Sequence, residues 1–212
     1  MSTLFKLKEL IMNFCNKAYE HNGINYFWSV KTSLEVFDKL QAFEKPFLTV
    51  DIYDFSTLYT SLPHYLIKQI FSYLIEWCFD KTNLMCICCS RERSFFSDVK
   101  DNYKRYTYWT CEEMIGAVYF LLDNIFIRFG YKINRQVAGI PKGTNCAPLI
   151  ADLFLYCYES QFMAKLHKDP SKTDLIDKFN NTYRYLDDIF SVNNSDFYKY
   201  IFEIYPKVLT FK

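Results

Sequence analysis

Leu4, Leu7, Ile11, Phe14 and Ala18 recur three or four residues apart, which puts them on one face of a helix over residues 4–19. A second helix starts near Thr32 or Ser33 and runs to about Leu40. Pro63 suits a first helical turn, and after it Leu66, Ile67, Ile70, Phe71, Leu74, Ile75 and Cys78 keep helical spacing. Thr110 and Glu113 make a capping-box pattern ahead of Met114, Ile115, Val118, Leu121, Leu122, Ile125 and Phe126. The longest predicted helix runs from Ala147 to about His167, buried on most sides at its start, and a last one falls near residues 196–203.

Between the helices the pattern changes to extended runs. Residues 47–53 are dominated by apolar and β-branched side chains, as in a strand that Asp54 ends. Residues 84–89, 131–138 and 207–211 read as further strands, and 169–172 as a loop. Residues 183–192 read as strand on both sides of Asp187 and Asp188, so a tight turn falls at or beside the two aspartates. The pattern predicts an α+β fold: an antiparallel sheet carrying the aspartates, packed on helices from Pro63, Thr110 and Ala147.

Adjacent carboxylates at a turn repel each other and lose solvation when a site closes over them, unless a cation lies between them. A solvated turn is the plainer account, because aspartate is common in turns. Three stretches together shift the balance. Asp54 is followed by Tyr59 and Pro63, and the second stretch runs from Gln136 through Gly139, Pro141, Lys142, Gly143 and Pro148 into Leu155. The third is Tyr185-Leu186-Asp187-Asp188.

In order and spacing these stretches resemble the motifs of reverse transcriptases. The family places an aspartate at a strand end, an aromatic five residues on and a proline nine on, which Asp54, Tyr59 and Pro63 match and Asp51 does not; Asp51 is expected to face solvent. The second stretch resembles the family's loop of Pro, a variable residue and Gly before a long helix, with Lys142 where many members have glutamine. Tyr185 to Asp188 matches the YxDD motif. The strings 55–64 and 184–190 are most similar to those of Penelope-like and related retroelements, and the likeness spans roughly residues 26–212.

The resemblance implies an RNA-directed DNA polymerase that joins a dNTP to a primer 3′-hydroxyl. It implies two Mg²⁺ ions (or Mn²⁺) held by the catalytic residues Asp54, Asp187 and Asp188 and by the Phe55 carbonyl. Tyr59 is expected under the incoming sugar, excluding a 2′-hydroxyl, with Gln136, Pro141, Lys142 and Gly143 against nucleotide or template. The partners implied are an RNA template and a DNA primer. The chain is expected to be one domain over 1–212, with partial fingers over 1–45 and a palm over 46–212 whose motifs lie at 54–63, 136–155 and 183–190. The thumb and most of the fingers are expected to be missing, so the triad binds magnesium while the isolated chain polymerises poorly. Two rivals stand beside this reading: a non-catalytic remnant that binds nucleic acid or acts as a scaffold, and the palm of an RNA-dependent RNA polymerase. A nucleotide cyclase palm is more distant, because its glycine-rich acidic hairpin is absent.

Composition alters the picture little. Half of the 212 residues are hydrophobic and 20% aromatic, enough for a sizeable core and against disorder. A net charge of +1 gives no support for nucleic-acid binding by itself. The stretch from Arg91 to Arg105 is rich in cations but reads as a solvated loop. Eight cysteines, with no visible signal peptide, are expected as free thiols; Cys86-Ile87-Cys88-Cys89 lacks the paired spacing of a zinc site. Asp123 and Arg128 interrupt the most apolar stretch, so no membrane span is expected; an intracellular location is expected, in a compartment that the sequence leaves unknown. Arg184, alternating with Tyr183 and Tyr185, should face away from those rings, solvated or ion-paired, and Asp152 should lie on the wet side of its helix.

Overall fold

Local sequence and long-range pairing divide the work of forming the elements. In this computed structural model, which describes residues 2–43, 46–90, 94–98, 106–140 and 145–212, the fold is α+β. The helices among the described residues are α1 (Ser2–Asn22), α2 (Ser33–Gln41), α3 (Leu58–Ser61), α4 (His64–Thr82), α5 (Cys111–Asp123), α6 (Ala147–His167), α7 (Thr173–Phe179) and α8 (Phe197–Ile204). The strands are β1 (Val50–Asp54), β2 (Cys86–Cys89), β3 (Ser94–Ser97), β4 (Thr107–Trp109), β5 (Phe126–Phe129), β6 (Lys132–Arg135), β7 (Thr182–Tyr185) and β8 (Asp188–Val192). The chain gathers into two compact units, Met1–Met12 with Tyr59–Ile150 and Asn13–Leu58 with Ala151–Lys212.

In the first unit the capping box at Thr110 is formed. Its hydroxyl accepts from the Glu113 N–H at 3.2 Å, and the Glu113 carboxylate accepts from the Thr110 N–H at 2.8 Å. Helices α4 and α5 lie side by side, tied by Lys68 to Asp123 at 2.6 Å and Ser72 to Tyr119 at 3.0 Å. The predicted helix through Phe126 stops short, at Asp123. The Asn124 side chain and N–H both turn back to the Phe120 carbonyl, and the chain reverses into the β5–β6 hairpin. The apolar residues Ile125 and Phe126 fit either period, and helical spacing alone could not tell the helix from the strand that follows.

Strand β2 is the centre of the antiparallel sheet β3-β2-β4, with all four residues buried. Its neighbour β3 lies inside the stretch read as a solvated loop, as an edge strand paired to β2 and half-buried except at the exposed Phe95. Cys86 and Cys88 share one face of β2 and Cys89 takes the other, so the three thiols do not converge. Cys86 donates to the Ser97 carbonyl, and burial pushes the Cys88 thiol up to about 11. Every described cysteine is a free thiol.

The second unit is built on the antiparallel sheet β1-β8-β7. Its edges are lengthened by irregular chain. Residues 28–30 run beside β7, with the Arg184 backbone N–H donating to the Trp28 carbonyl at 2.7 Å, and residues 210–212 run beside 54–56. The strand expected at 207–211 is reduced to a single bridge between Phe55 and Phe211, because residues 207–208 turn before it. The loop at 169–172 holds a single 3-10 turn, Pro170–Lys172, that leads into α7.

Alternation sets the two faces of this sheet. Thr182, Arg184, Ile189 and Ser191 are buried on one face. Trp28, Phe179 and Phe197 form the aromatic core of the unit, with Tyr53 stacked on Phe197 at 4.9 Å. The other face carries Ile52, Asp54, Tyr185 and Asp188 and is more open.

Candidate active site

Tyr185 pairs with Asp188 across the β7–β8 hairpin, leaving only Leu186 and Asp187 in its turn. Leu186 adopts φ +55°, a left-handed backbone that a leucine rarely takes. The turn is therefore strained locally and must be held from elsewhere. On the far side of β8, Asp54 stands directly opposite Asp188, and the Phe55 N–H donates to the Asp187 carbonyl at 3.0 Å. Side chains facing each other in an antiparallel pair have Cβ atoms ~4.5–5.5 Å apart, so Asp54 and Asp188 are close neighbours on the open face. Asp51, three residues earlier, is half-buried opposite Ser191 on the other face, not solvent-facing as the sequence suggested; strand alternation puts it there.

Asp188 senses its surroundings. Loss of solvent around its carboxyl, and after that the charges of Asp187 and Asp54, hold Asp188 above the usual carboxylate range, although the residue as a whole is exposed. Among the described residues no three Asp, Glu, His or Cys side chains form a ready-made metal-binding group. The donor set nevertheless fits a hard divalent cation by its chemistry, since it is all oxygen, anionic and mutually repelling. What the strands supply is the register of the carboxylates, not a closed cage. Phe55 itself is buried, its ring against Tyr205 and Phe211 at 4.9 and 4.7 Å.

Arg184 is fully buried and ion-paired, on the face away from Tyr183 and Tyr185. Its partners are Glu159, at 2.5 and 3.1 Å, and Asp152, at 2.9 Å. This corrects the reading of Asp152 as a wet-side residue of α6: it is buried because Arg184 needs it. Tyr205 donates to Glu159 at 2.9 Å. Burial raises Tyr205 well above its usual range, and the two carboxylates outweigh desolvation to keep Arg184 charged.

The other motif residues lie in the first unit. Tyr59 is half-buried in α3, and its carbonyl accepts from Ile140 at 2.7 Å. Gly139 donates to the Leu62 carbonyl at 2.7 Å, and its own carbonyl accepts from Nε2 of the buried His64 at 2.8 Å. Gly139 has φ +81°, and a Cβ there would sit 2.6 Å from the Tyr59 carbonyl oxygen and 3.0 Å from that of Thr60. Only glycine fits. Sequence reasoning placed this residue in the second stretch without a role of its own; its place two residues before Pro141 was the one available signal. Gln136 is half-buried, donating to the Ala138 carbonyl at 2.7 Å, while its Oε1 is buried with no hydrogen bond among the described residues. Pro141, Lys142 and Gly143 lie outside the described residues.

Comparison with solved structures points to one fold. Apo telomerase from Candida tropicalis matches over 99% of this chain and 35% of its own, at 14% identity and a TM-score of 0.62. The same telomerase truncated from its C-terminal domain matches over 95% of this chain and 36% of its own, at 17% identity and 0.54. Telomerase from Candida albicans, in complex with a fragment of telomeric RNA, matches over 84% of this chain and 29% of its own, at 12% identity and 0.53. The chain thus spans about a third of the length of these telomerases. No family model and no curated protein matches it in sequence. At such low identity the likeness shows the fold alone, the α+β architecture that this chain shares with part of these telomerases.

Proposed function

We propose that this chain is the palm-bearing part of an RNA-directed DNA polymerase that transfers a nucleotide from a dNTP to a primer 3′-hydroxyl. Residues 46–212 would be the palm and 1–45 part of the fingers. The observation that carries the reading is the pairing of Asp54 with Asp188 and of Phe55 with Asp187, which brings carboxylates more than a hundred residues apart to one end of one sheet. Phosphoryl transfer asks mainly for positioning and charge neutralisation. Asp54, Asp187 and Asp188, with the Phe55 carbonyl, would hold two Mg²⁺ ions, and Mn²⁺ could replace them. When bound, such ions stabilise charge on the attacking 3′-oxygen and the leaving pyrophosphate.

The remaining roles follow from motif position. The ring of Tyr59 would exclude a sugar bearing a 2′-hydroxyl, and its backbone is fixed by the contact with Ile140. Gln136, Pro141, Lys142 and Gly143 would meet the nucleotide or template. An RNA template and a DNA primer are the partners that this chemistry requires. The choice of a Penelope-like retroelement rests on the strings 55–64 and 184–190 alone.

One observation favours a second reading. Among the described residues no three carboxylates are preassembled, as suits a non-catalytic remnant that binds nucleic acid or serves as a scaffold. A single-nucleotide incorporation assay separates the two. With Mg²⁺ and excess chain, on RNA- and DNA-templated primers, slow dNTP addition that disappears in Asp54→Asn and Asp187→Asn supports the polymerase. Addition that survives both substitutions, or no addition under any condition, supports the remnant.

A further inference from the structure

Arg184 offers five N–H donors and all five are used. Two reach Glu159, one the Asp152 carboxylate, one the Asp152 carbonyl, and one the Leu186 carbonyl at 3.2 Å. The first four contacts lock the guanidinium against α6. The fifth reaches the turn. Leu186 is the residue whose backbone is left-handed, and it lies between this arginine and the two aspartates. A buried ion pair is weak evidence for stability, since apolar residues of similar volume often serve as well. A guanidinium whose last donor holds a strained carbonyl does something that an apolar side chain cannot.

We infer that Arg184 is a positioning residue for the acidic turn: anchored by Glu159 and Asp152, it pins the Leu186 carbonyl and so fixes the backbone that presents Asp187 and Asp188 opposite Asp54. Tyr205, which donates to Glu159, braces the anchor from the other side. The pinning of the turn is independent of what the aspartates do, and only its consequence for catalysis rests on the polymerase reading.

The test is local amide hydrogen exchange on the chain without divalent cations, comparing residues 186–190 with α8, a helix of the same unit that buries one face. Two variants are needed. Arg184→Lys keeps the charge and loses the fork. The triple variant Arg184→Met, Glu159→Gln, Asp152→Asn removes the pin together with the charges that would be stranded by it. The expected result is exchange at the turn about 10-fold faster or more in the triple variant, a smaller rise in Arg184→Lys, and unchanged exchange in α8. Turn and helix losing protection in parallel would reduce Arg184 to a general stabiliser, and unchanged exchange at the turn would remove its role; either overturns the inference. Because no metal or nucleotide enters the measurement, a chain that binds no cation sinks the polymerase reading and leaves this one standing.

Discussion

Two hairpins of this chain share a plan and differ in what holds them. Both β5–β6 and β7–β8 close through a two-residue turn whose first residue is left-handed. In β5–β6 that residue is Gly130, with φ +62°, and nothing lies within 4 Å of where its Cβ would be. The residues of both strands are exposed. Such a hairpin is written locally, in the glycine. In β7–β8 the same place is taken by Leu186, and the turn is held by a buried arginine 0% exposed and two carboxylates from α6. The chain accepts backbone strain where it presents aspartates and avoids it where the hairpin carries no such group.

The largest expected effect breaks the support of the acidic hairpin. Arg184→Met takes the counter-charge away from the buried Glu159 and Asp152 and should cost ~3–5 kcal/mol in a denaturant titration, whereas Arg128→Met on the exposed hairpin should stay within ~0.5 kcal/mol. Glycine substitutions come next. Gly139→Ala drives a Cβ into the Tyr59 and Thr60 carbonyls and should cost ~2–4 kcal/mol, against ~1 kcal/mol for Gly130→Ala, where only the left-handed backbone objects. Leu186→Gly should change sign. Relief of the left-handed strain outweighs the extra freedom of the unfolded chain, for a gain of up to ~1 kcal/mol in the same titration.

A smaller effect concerns acid. Hydrogen bonds from Lys178 and Lys199 hold the Asp196 carboxyl down at about 2, below its usual 3.8. A carboxylate with a depressed folded-state pKa stabilises above the unfolded value, and that contribution fades as the pH falls from about 4 to about 2. Asp196→Asn should therefore flatten the acid limb of the stability curve over this window and leave the curve's shape near neutral pH unchanged.

Much of the frame was legible in the sequence. The box at Thr110 and Glu113 is a local signal, and the chain uses it locally. The register sets Asp54 opposite Asp188 and Asp51 on the other face of the sheet. The misses are long-range. Arg184 finds Asp152 and Glu159 across 32 and 25 residues, and no periodicity of either segment announces the pairing. Asp152 was misread for that reason, since a lone carboxylate in an apolar helix looks like a surface residue until its partner is known. Helix α5 was drawn too long because Ile125 and Phe126 suit both periods, and residues 207–211 alternate without a full strand to pair with. Gly139 is required by carbonyls some eighty residues away in the chain.

The central claim is that Asp54, Asp187 and Asp188 act as one cation site. Mn²⁺ titration of the chain, followed by water-proton relaxation, tests it most directly, with Asp51→Asn as the control from the opposite face of the same strand. The account predicts saturable binding, weakened about 10-fold or more by Asp54→Asn or Asp187→Asn and unchanged by Asp51→Asn. Binding that Asp54→Asn leaves intact, or that Asp51→Asn impairs as strongly, would contradict it.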